Sequence, residues 1–307
     1  MRASAGPARS GVLVVDKPAG PTSHDVVDRV RRALGERRVG HTGTLDPFAT
    51  GVLVVCVGQA TRLARFLAEG EKVYRATVRL GFATTTDDLL GEPLGPARAV
   101  AVDVAAVRGA AAALTGTLQQ VPPSFSAKRV EGQRLYELAR QGRAVERAPV
   151  PVTVHAFDVL GLEGDRVEVE VRCSPGTYVR ALARDLGERL GLGGHLVALR
   201  RIRSSGFGLE QAVGADALET GAQAALLPLQ AVLIDLPAVV ANALGVAGLR
   251  HGRALAPEGV SGFPAAPEPR YRVLADDGAL LALAVPRGFA ADDGPPRLQP
   301  DVVLIGE

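Results

Sequence analysis

The sequence predicts an α+β fold with a mixed, largely antiparallel sheet and a smaller β-rich unit at its C-terminal end. Three observations lead there. Strand-like and helix-like segments are interleaved without the regular strand-helix-strand alternation of a parallel sheet. Short Val-rich runs such as GVLVV and VLVVCVG, and alternating runs such as DRVEVEVRC, read as strands rather than helices. After about Leu236 aromatic residues thin out, Pro and Gly rise, and short strand-like runs follow one another. A chain of 307 residues, 47% of them hydrophobic, has enough apolar surface for one large core with a small one beside it.

The elements follow in order. The first ten residues have no periodicity and are expected to fray. GVLVVDKPAG, from Gly11, is a buried strand ended by a Pro-Gly turn. Thr22 with Asp25 then forms a capping box for a helix that runs through VVDRVRRAL to Gly35. RRVGHTGTLDPFATG, with three glycines, three threonines and a proline, is a loop leading into the apolar run 52–58. KVYRATVRL, 72–80, alternates as a half-buried strand. Residues 83–101 are a polar excursion with turns, and 103–115 an Ala-rich helix. VPPSFSAKR, 121–129, is extended near its prolines and feeds a helix at LYELARQG. Strands at VTVHAFDVLGL and DRVEVEVRC come next, then a helix from about Tyr178 to Leu190 closed by Gly191, and a strand at HLVALRRIRS. The boundaries expected are 1–10 for a disordered N-terminus, 11–235 for the main domain with an insert at about 121–150, and 236–307 for the small one.

Charge is unevenly spread. The net charge is only +2, yet residues 204–307 hold six Lys and Arg against twelve Asp and Glu, leaving residues 1–203 with a surplus of eight positive charges. The basic part is the part that carries the motifs, which suits a polyanionic partner. No apolar run approaches the roughly 20 residues of a membrane span, and the start lacks a signal-like apolar stretch, so the cytoplasm is the expected address. Cys56 and Cys173 sit in apolar or alternating runs and read as reduced core thiols. Five scattered histidines and the absence of HExxH, paired CxxC and EF-hand patterns give no metal site, and no GxxxxGK[ST] loop or GxSxG elbow occurs. No metal and no cofactor is expected.

The densest motif is GHTGTLDPFATG, Gly40 to Gly51. Its glycines permit backbone shapes other residues resist, and Pro47 fixes the chain just after Asp46, which is how a rigid loop aims one carboxylate. By pattern alone an Asp before a Pro in such a loop reads as a turn former. The motif resembles the catalytic loop of TruB-type pseudouridine synthases, and further blocks fall in that family's order: VVDKPAGPTSHDVV, KVYRATVRLG, PPSFSAKRVEGQRLYELARQG, RCSPGTYVRALARDLGERLG and HLVALRRIRSSGF. The similarity covers about residues 11–208, and the tail resembles, more weakly, a small PUA-like domain.

The resemblance implies a pseudouridine synthase fold and a set of site residues. Asp46 is implied as the nucleophile, attacking C1′ or driving elimination to a glycal. Arg180 is implied as its guanidinium partner, which lowers a carboxyl pKa. Tyr74 would stack on the flipped uracil, with Tyr178 and Leu199 lining the base pocket. Lys17 would support the loop and face phosphate. His41 would take the vacated place in the RNA stack, beside Thr42 and Gly43. In the insert, Lys128, Arg129, Arg134, Arg140 and Arg143 would meet phosphates and sugars, with Arg129 standing where the family usually has lysine. The activity implied is isomerisation of uridine at position 55, in the T-arm loop of tRNA, by a monomer without obligate protein partner that also assists tRNA folding. An RNA-binding or chaperone protein on the same scaffold, and a glycosidase-like hydrolase, are the alternatives. The latter needs two carboxylates, and GHTGTLDPFATG holds Asp46 as its one acid.

Overall fold

The computed structural model describes residues 10–124, 147–289 and 294–305, with the backbone of 129–130 and 133–134. The expectations of a frayed start, over residues 1–9, and of a helix at LYELARQG lie outside the described residues. So do Lys128, Arg140, Arg143 and the side chains of Arg129 and Arg134.

In chain order, β1 (Gly11–Lys17) leads to α1 (Ser23–Leu34), β2 (Val39–His41), β3 (Thr50–Val57), α2 (Ala64–Ala68), β4 (Lys72–Leu80), α3 (Val104–Ala112) and β5 (Gly116–Gln120). After the two-residue strands β6 (Arg129–Val130) and β7 (Gln133–Arg134) come β8 (Val150–Glu163), β9 (Arg166–Cys173), α4 (Val179–Arg189), β10 (Gly194–Ser204), β11 (Phe207–Gly208), β12 (Val213–Gly214) and a short α5 (Leu218–Gly221). The chain ends with β13 (Ala238–Ala241), α6 (Ala243–Arg250), β14 (Val260–Ser261), β15 (Tyr271–Leu274), β16 (Leu280–Arg287) and β17 (Arg297–Val303).

The main sheet runs β12-β1-β3-β10-β4-β9-β8-β5, with β2 on β3 and β11 on β10. Only the β1/β12 and β3/β10 pairs are parallel, so the mixed, mainly antiparallel sheet is the one expected. β1 and β3, the two Val-rich runs, are buried almost throughout because they lie inside the sheet with both faces covered. One face packs on α1, where Val26, Val27, Val30 and Leu34 meet Leu13, Val15, Leu53 and Val55. The face of β4, β8, β9 and β10 packs on α3 and α4, with Val107, Leu182 and Leu186 against Val78, Val154, Val169 and Leu196.

Local chemistry explains the ends of the elements. The Thr22 hydroxyl accepts from the Asp25 backbone N–H and the Asp25 carboxylate accepts from the Thr22 backbone, closing the expected capping box. Gly35 ends α1 in the left-handed conformation (φ 63°). Cys56 and Cys173 are free and buried, and burial pushes the Cys56 thiol up to about 12. Among the elements not expected are β2, three residues of the Gly/Thr-rich loop that pair with β3; β5, whose GTLQQ alternates too weakly to stand out; and α6, Ala/Gly-rich and capped by Asn242.

The C-terminal strands form their own sheet, β14-β13-β15-β16-β17, around Val239, Leu249, Val273 and Leu298. The other side of β16 and β17 is part of a core shared with the main sheet, where Leu280, Leu283, Val302 and Leu304 pack with Val12, Val52, Val54, Leu63 and Phe66.

Candidate active site

The loop between β2 and β3 carries Asp46, and it is held from behind at several points. The Ser23 hydroxyl, buried at the start of α1, accepts from the Leu45 N–H (2.8 Å) and donates to the Leu45 carbonyl (3.1 Å). Gly20 N–H donates to the Pro47 carbonyl at 2.8 Å. Lys17 has no accessible surface, and its ammonium donates to the carbonyls of Pro18, Pro47 and Ala49 at 2.9, 3.1 and 2.7 Å. That leaves it no surface on which to meet a phosphate; it braces the loop instead. Burial lowers its pKa to about 8. Of the motif's three glycines only Gly51 uses a positive φ (102°), and a Cβ there would lie 2.2 Å from the Arg201 carbonyl oxygen. The close approach of β3 and β10 depends on its having no side chain.

Arg180 is the second residue of α4 and is almost fully buried. Its Nε and Nη2 donate to the two oxygens of Asp46 at 2.9 and 3.0 Å, a bidentate pair, while Nη1 donates to the Thr86 carbonyl (3.1 Å) and to Asp88 Oδ2 (3.3 Å). Asp88 is buried too, and its Oδ1 accepts from the Thr86 hydroxyl (2.6 Å) and the Leu90 N–H (3.0 Å). One turn further along α4, Arg184 pairs with Asp87 at 2.9 Å. Neighbouring acids of the segment 84–92 are therefore stapled to arginines one turn apart on α4. The Asp46 side chain keeps 31% of its surface exposed, toward a cavity.

Burial raises the Asp46 carboxyl above the ordinary range; Arg180 pulls it down, and the charge of Asp88 pushes it further up. The expectation of a lowered carboxyl is thus corrected: Arg180 opposes the rise without cancelling it, since desolvation of the charge outweighs its attraction.

The cavity, about 370 Å³, is walled by Thr42, Gly43, Thr44, Leu45 and Asp46 on one side, Pro175 to Arg180 on another, and Ala68, Lys72, Tyr74, Leu199 and Arg201 on the third. Among the described residues Asp46 is its sole carboxylate. Tyr74 is buried in β4, and burial raises its phenol above the ordinary value. Tyr178 is the N-cap of α4, and its backbone is held at both ends by Gln120: the Tyr178 N–H donates to Gln120 Oε1 (2.8 Å), and Gln120 Nε2 donates to the Tyr178 carbonyl (3.1 Å).

Of the residues implied by the resemblance, the fold brings Asp46, Tyr74, Arg180, Thr42, Gly43, Tyr178 and Leu199 onto this one cavity. His41, in β2, is not on its wall; it is half-buried, its Nδ1 has no partner, and burial lowers its pKa. The sequence reading did not include Lys72, Arg201, Asp88, Gln120 or Ser23. Lys72 and Arg201 stood inside quoted blocks as ordinary cations; Asp88 stood in a segment read only as turns.

The comparison with known families agrees with this geometry. A family model described as TruB family pseudouridylate synthase, N-terminal domain, matches residues 31–179, and one described as tRNA pseudouridylate synthase B C-terminal domain matches 180–236. The chain belongs to the TruB family of pseudouridylate synthases. Among its TruB relatives, the tRNA pseudouridine synthase B of Thermobifida fusca (strain YX) is 50% identical over 305 residues, covering 96% of this chain and 99% of that protein. That of Arthrobacter sp. (strain FB24) is 45% identical over 287 residues, covering 91% and 94%. Among solved structures, a chain in a crystal structure of a Cbf5-Nop10-Gar1 complex superposes with a TM-score of 0.72 at 26% identity, covering 95% of this chain and 84% of that one. This TruB-family chain is therefore a pseudouridine synthase, with the α+β architecture and β-rich C-terminal unit its sequence predicts. Among the described residues no helix is long and apolar enough to cross a membrane, and no His, Cys, Asp and Glu gather as metal ligands.

Proposed function

We propose that the chain isomerises uridine to pseudouridine in tRNA, at position 55 of the T-arm loop, with Asp46 as nucleophile toward a base flipped out of the loop. Its relatives are named for tRNA pseudouridine synthesis. The observation that carries the reading is the Asp46 carboxylate, held bidentately by Arg180 at the edge of a base-sized cavity walled by Tyr74 and Leu199. Pseudouridylation breaks the N1–C1′ bond, turns the uracil and joins C5 to C1′, with no net redox change. One fixed, ionised carboxylate serves it by attack at C1′ or by taking a proton in elimination to a glycal. Tyr74 gives the detached base a flat ring and Leu199 an apolar surface on which to turn.

Hydrolysis of the glycosidic bond is the weaker reading. The nearest other acid, Asp88, is buried and accepts from Thr86, Leu90 and Arg180, so it has no place on the cavity wall from which to activate water. The test is incubation of an unmodified tRNA transcript with the purified protein, without added metal or cofactor, followed by chemical mapping. Pseudouridine confined to the T-arm loop uridine supports the reading, and product at another uridine moves the substrate assignment. Tight binding with no product returns the chain to the role of an RNA-binding protein.

A further inference from the structure

Two buried cations of the cavity wall have no carboxylate partner among the described residues. Lys72, the first residue of β4, lies opposite Cys173 of β9 and Ser204 of β10, and is buried. Its ammonium donates to the carbonyls of Ala68 (3.0 Å) and Gly70 (2.8 Å), which leaves one of its three protons. Arg201, on β10 opposite Tyr74, is more deeply buried still. Its Nε donates to the Val52 carbonyl (2.7 Å) and Nη2 to the Gly43 carbonyl (2.9 Å), and its positive charge opposes the rise that burial gives the Tyr74 phenol.

Among the described residues no Asp or Glu lies within 4.0 Å of either cation. The two converge at Gly43, where a Cβ would lie 3.4 Å from Arg201 Nη1 and 3.5 Å from Lys72 Cε. Opposite them Arg180 is matched by Asp46 and Asp88. Buried charges are ordinarily paired, so an unmatched pair of cations lining a cavity is a site waiting for negative charge.

We propose that Lys72, seated with Arg201, stabilises the negative charge that develops on the uracil when the N1–C1′ bond breaks. The inference rests on the reading of Asp46 given above and holds for both routes. In direct attack an Asp46 oxygen bonds to C1′ as the N1–C1′ pair leaves with the ring. In elimination Asp46 takes the C2′ proton, the C1′–C2′ double bond forms, and the same pair leaves with the ring. Either way the base is released as an anion whose charge spreads over N1, O2 and O4. C5 then joins C1′ as the carboxylate departs or returns its proton; the C5 proton is lost and N1 gains one, so the product is an isomer. A ring lying on Tyr74 meets Arg201, the residue opposite Tyr74 in the strand register, with Lys72 on the same cavity wall.

The titration of Lys72 agrees with such a role. Burial lowers its pKa to about 8, with the positive charge of Arg201 acting the same way and the Cys173 thiol against them. Glu71, next in the chain, pairs instead with His155 at 3.1 Å.

The test compares Lys72→Met and Lys72→Arg with the wild type in single-turnover reactions at saturating tRNA, alongside tRNA affinity and thermal midpoints. Lys72→Met is expected to slow the step by about a hundredfold or more, as loss of one preorganised donor does, while affinity stays within about threefold. Lys72→Arg should recover much of that rate. The wild-type rate should fall as pH rises through about 8, where Lys72 loses its proton, and Lys72→Arg should not show that fall. Weakened tRNA binding with an unchanged saturated rate would make Lys72 a phosphate contact and overturn the inference. So would a lowered thermal midpoint with a rate that arginine does not rescue, the mark of a brace for Ala68 and Gly70. A fully active Lys72→Met beside an active wild type removes this inference alone. A wild type that makes no pseudouridine removes the functional reading and this inference with it.

Discussion

Asp46 is subject to opposing influences that a pH profile can separate. Burial raises its carboxyl and Arg180 draws it back. With Asp46 as the proposed nucleophile the ionised form is required, so the rate should fall as pH drops toward the Asp46 pKa, and that acidic limb should stand at higher pH than an ordinary aspartate, at about 3.9, would place it. Arg180→Lys keeps a charge but loses the two-point contact of Nε and Nη2, so the limb should move further up and the plateau rate should drop. Single-turnover rates from pH 4 to 8 decide this, and a limb that stays in place in Arg180→Lys would remove Arg180 from control of the carboxyl. Asp46→Asn, nearly equal in volume, should give no product while tRNA affinity stays near that of the wild type. Turnover by a cleanly purified Asp46→Asn protein would end the nucleophile assignment. At this scale the gathering of Asp46, Tyr74 and Arg180 on one cavity is what the resemblance of their blocks implies. Asp88 and Gln120 are not legible in the sequence, since each works through a partner far along the chain: Arg180 for one, the backbone of Tyr178 for the other.

The elements explain why the site residues converge. β3 and β10 run parallel with Gly51 opposite Arg201, and the two-residue alternation of β10 sends the successive arginines 200 and 201 to opposite faces. Arg200 turns outward to Asp16 (2.7 Å), while Arg201 turns in to the carbonyls of Val52 and Gly43. The register has no room for a methyl group at Gly51, both because φ is positive and because the Arg201 carbonyl fills the space. Gly51→Ala should therefore destabilise the fold by more than about 2 kcal/mol and displace both Asp46 and Arg201. Denaturant unfolding together with activity checks this; a stable, fully active Gly51→Ala protein would mean that the strands tolerate a wider gap. Strand and helix periodicity made α1, β1, β4, β8, β9 and β10 readable in advance. β2 and β5 were missed because what defines them is a pairing partner rather than their own pattern, and α6 because its Ala/Gly composition shows no apolar stripe.

For the whole molecule the question is whether the C-terminal strands are an appendage or part of the frame. The change of composition at about Leu236 marks a second sheet, but it does not show that β16 and β17 have two apolar sides. One side closes their own core, and the other, through Leu280, Leu283, Val302 and Leu304, completes the core beneath β1, β3 and α2. Arg65 and Arg270 both reach Asp301, and Arg62 donates to the Val303 carbonyl, so polar contacts ring that apolar seam. A chain ending after Leu236 would leave Val12, Val52, Val54 and Phe66 without these partners, exposing a contiguous apolar patch. Truncation there should yield an insoluble or markedly less stable protein, even though every cavity-lining residue is retained. A point substitution separates packing from RNA contact: Leu283→Ala, fully buried in the shared core, should cost about 2 to 5 kcal/mol and lower the thermal midpoint while leaving the turnover of the folded protein unchanged. If the truncated chain instead stays soluble, stable and inactive on tRNA, these strands serve the RNA rather than the fold.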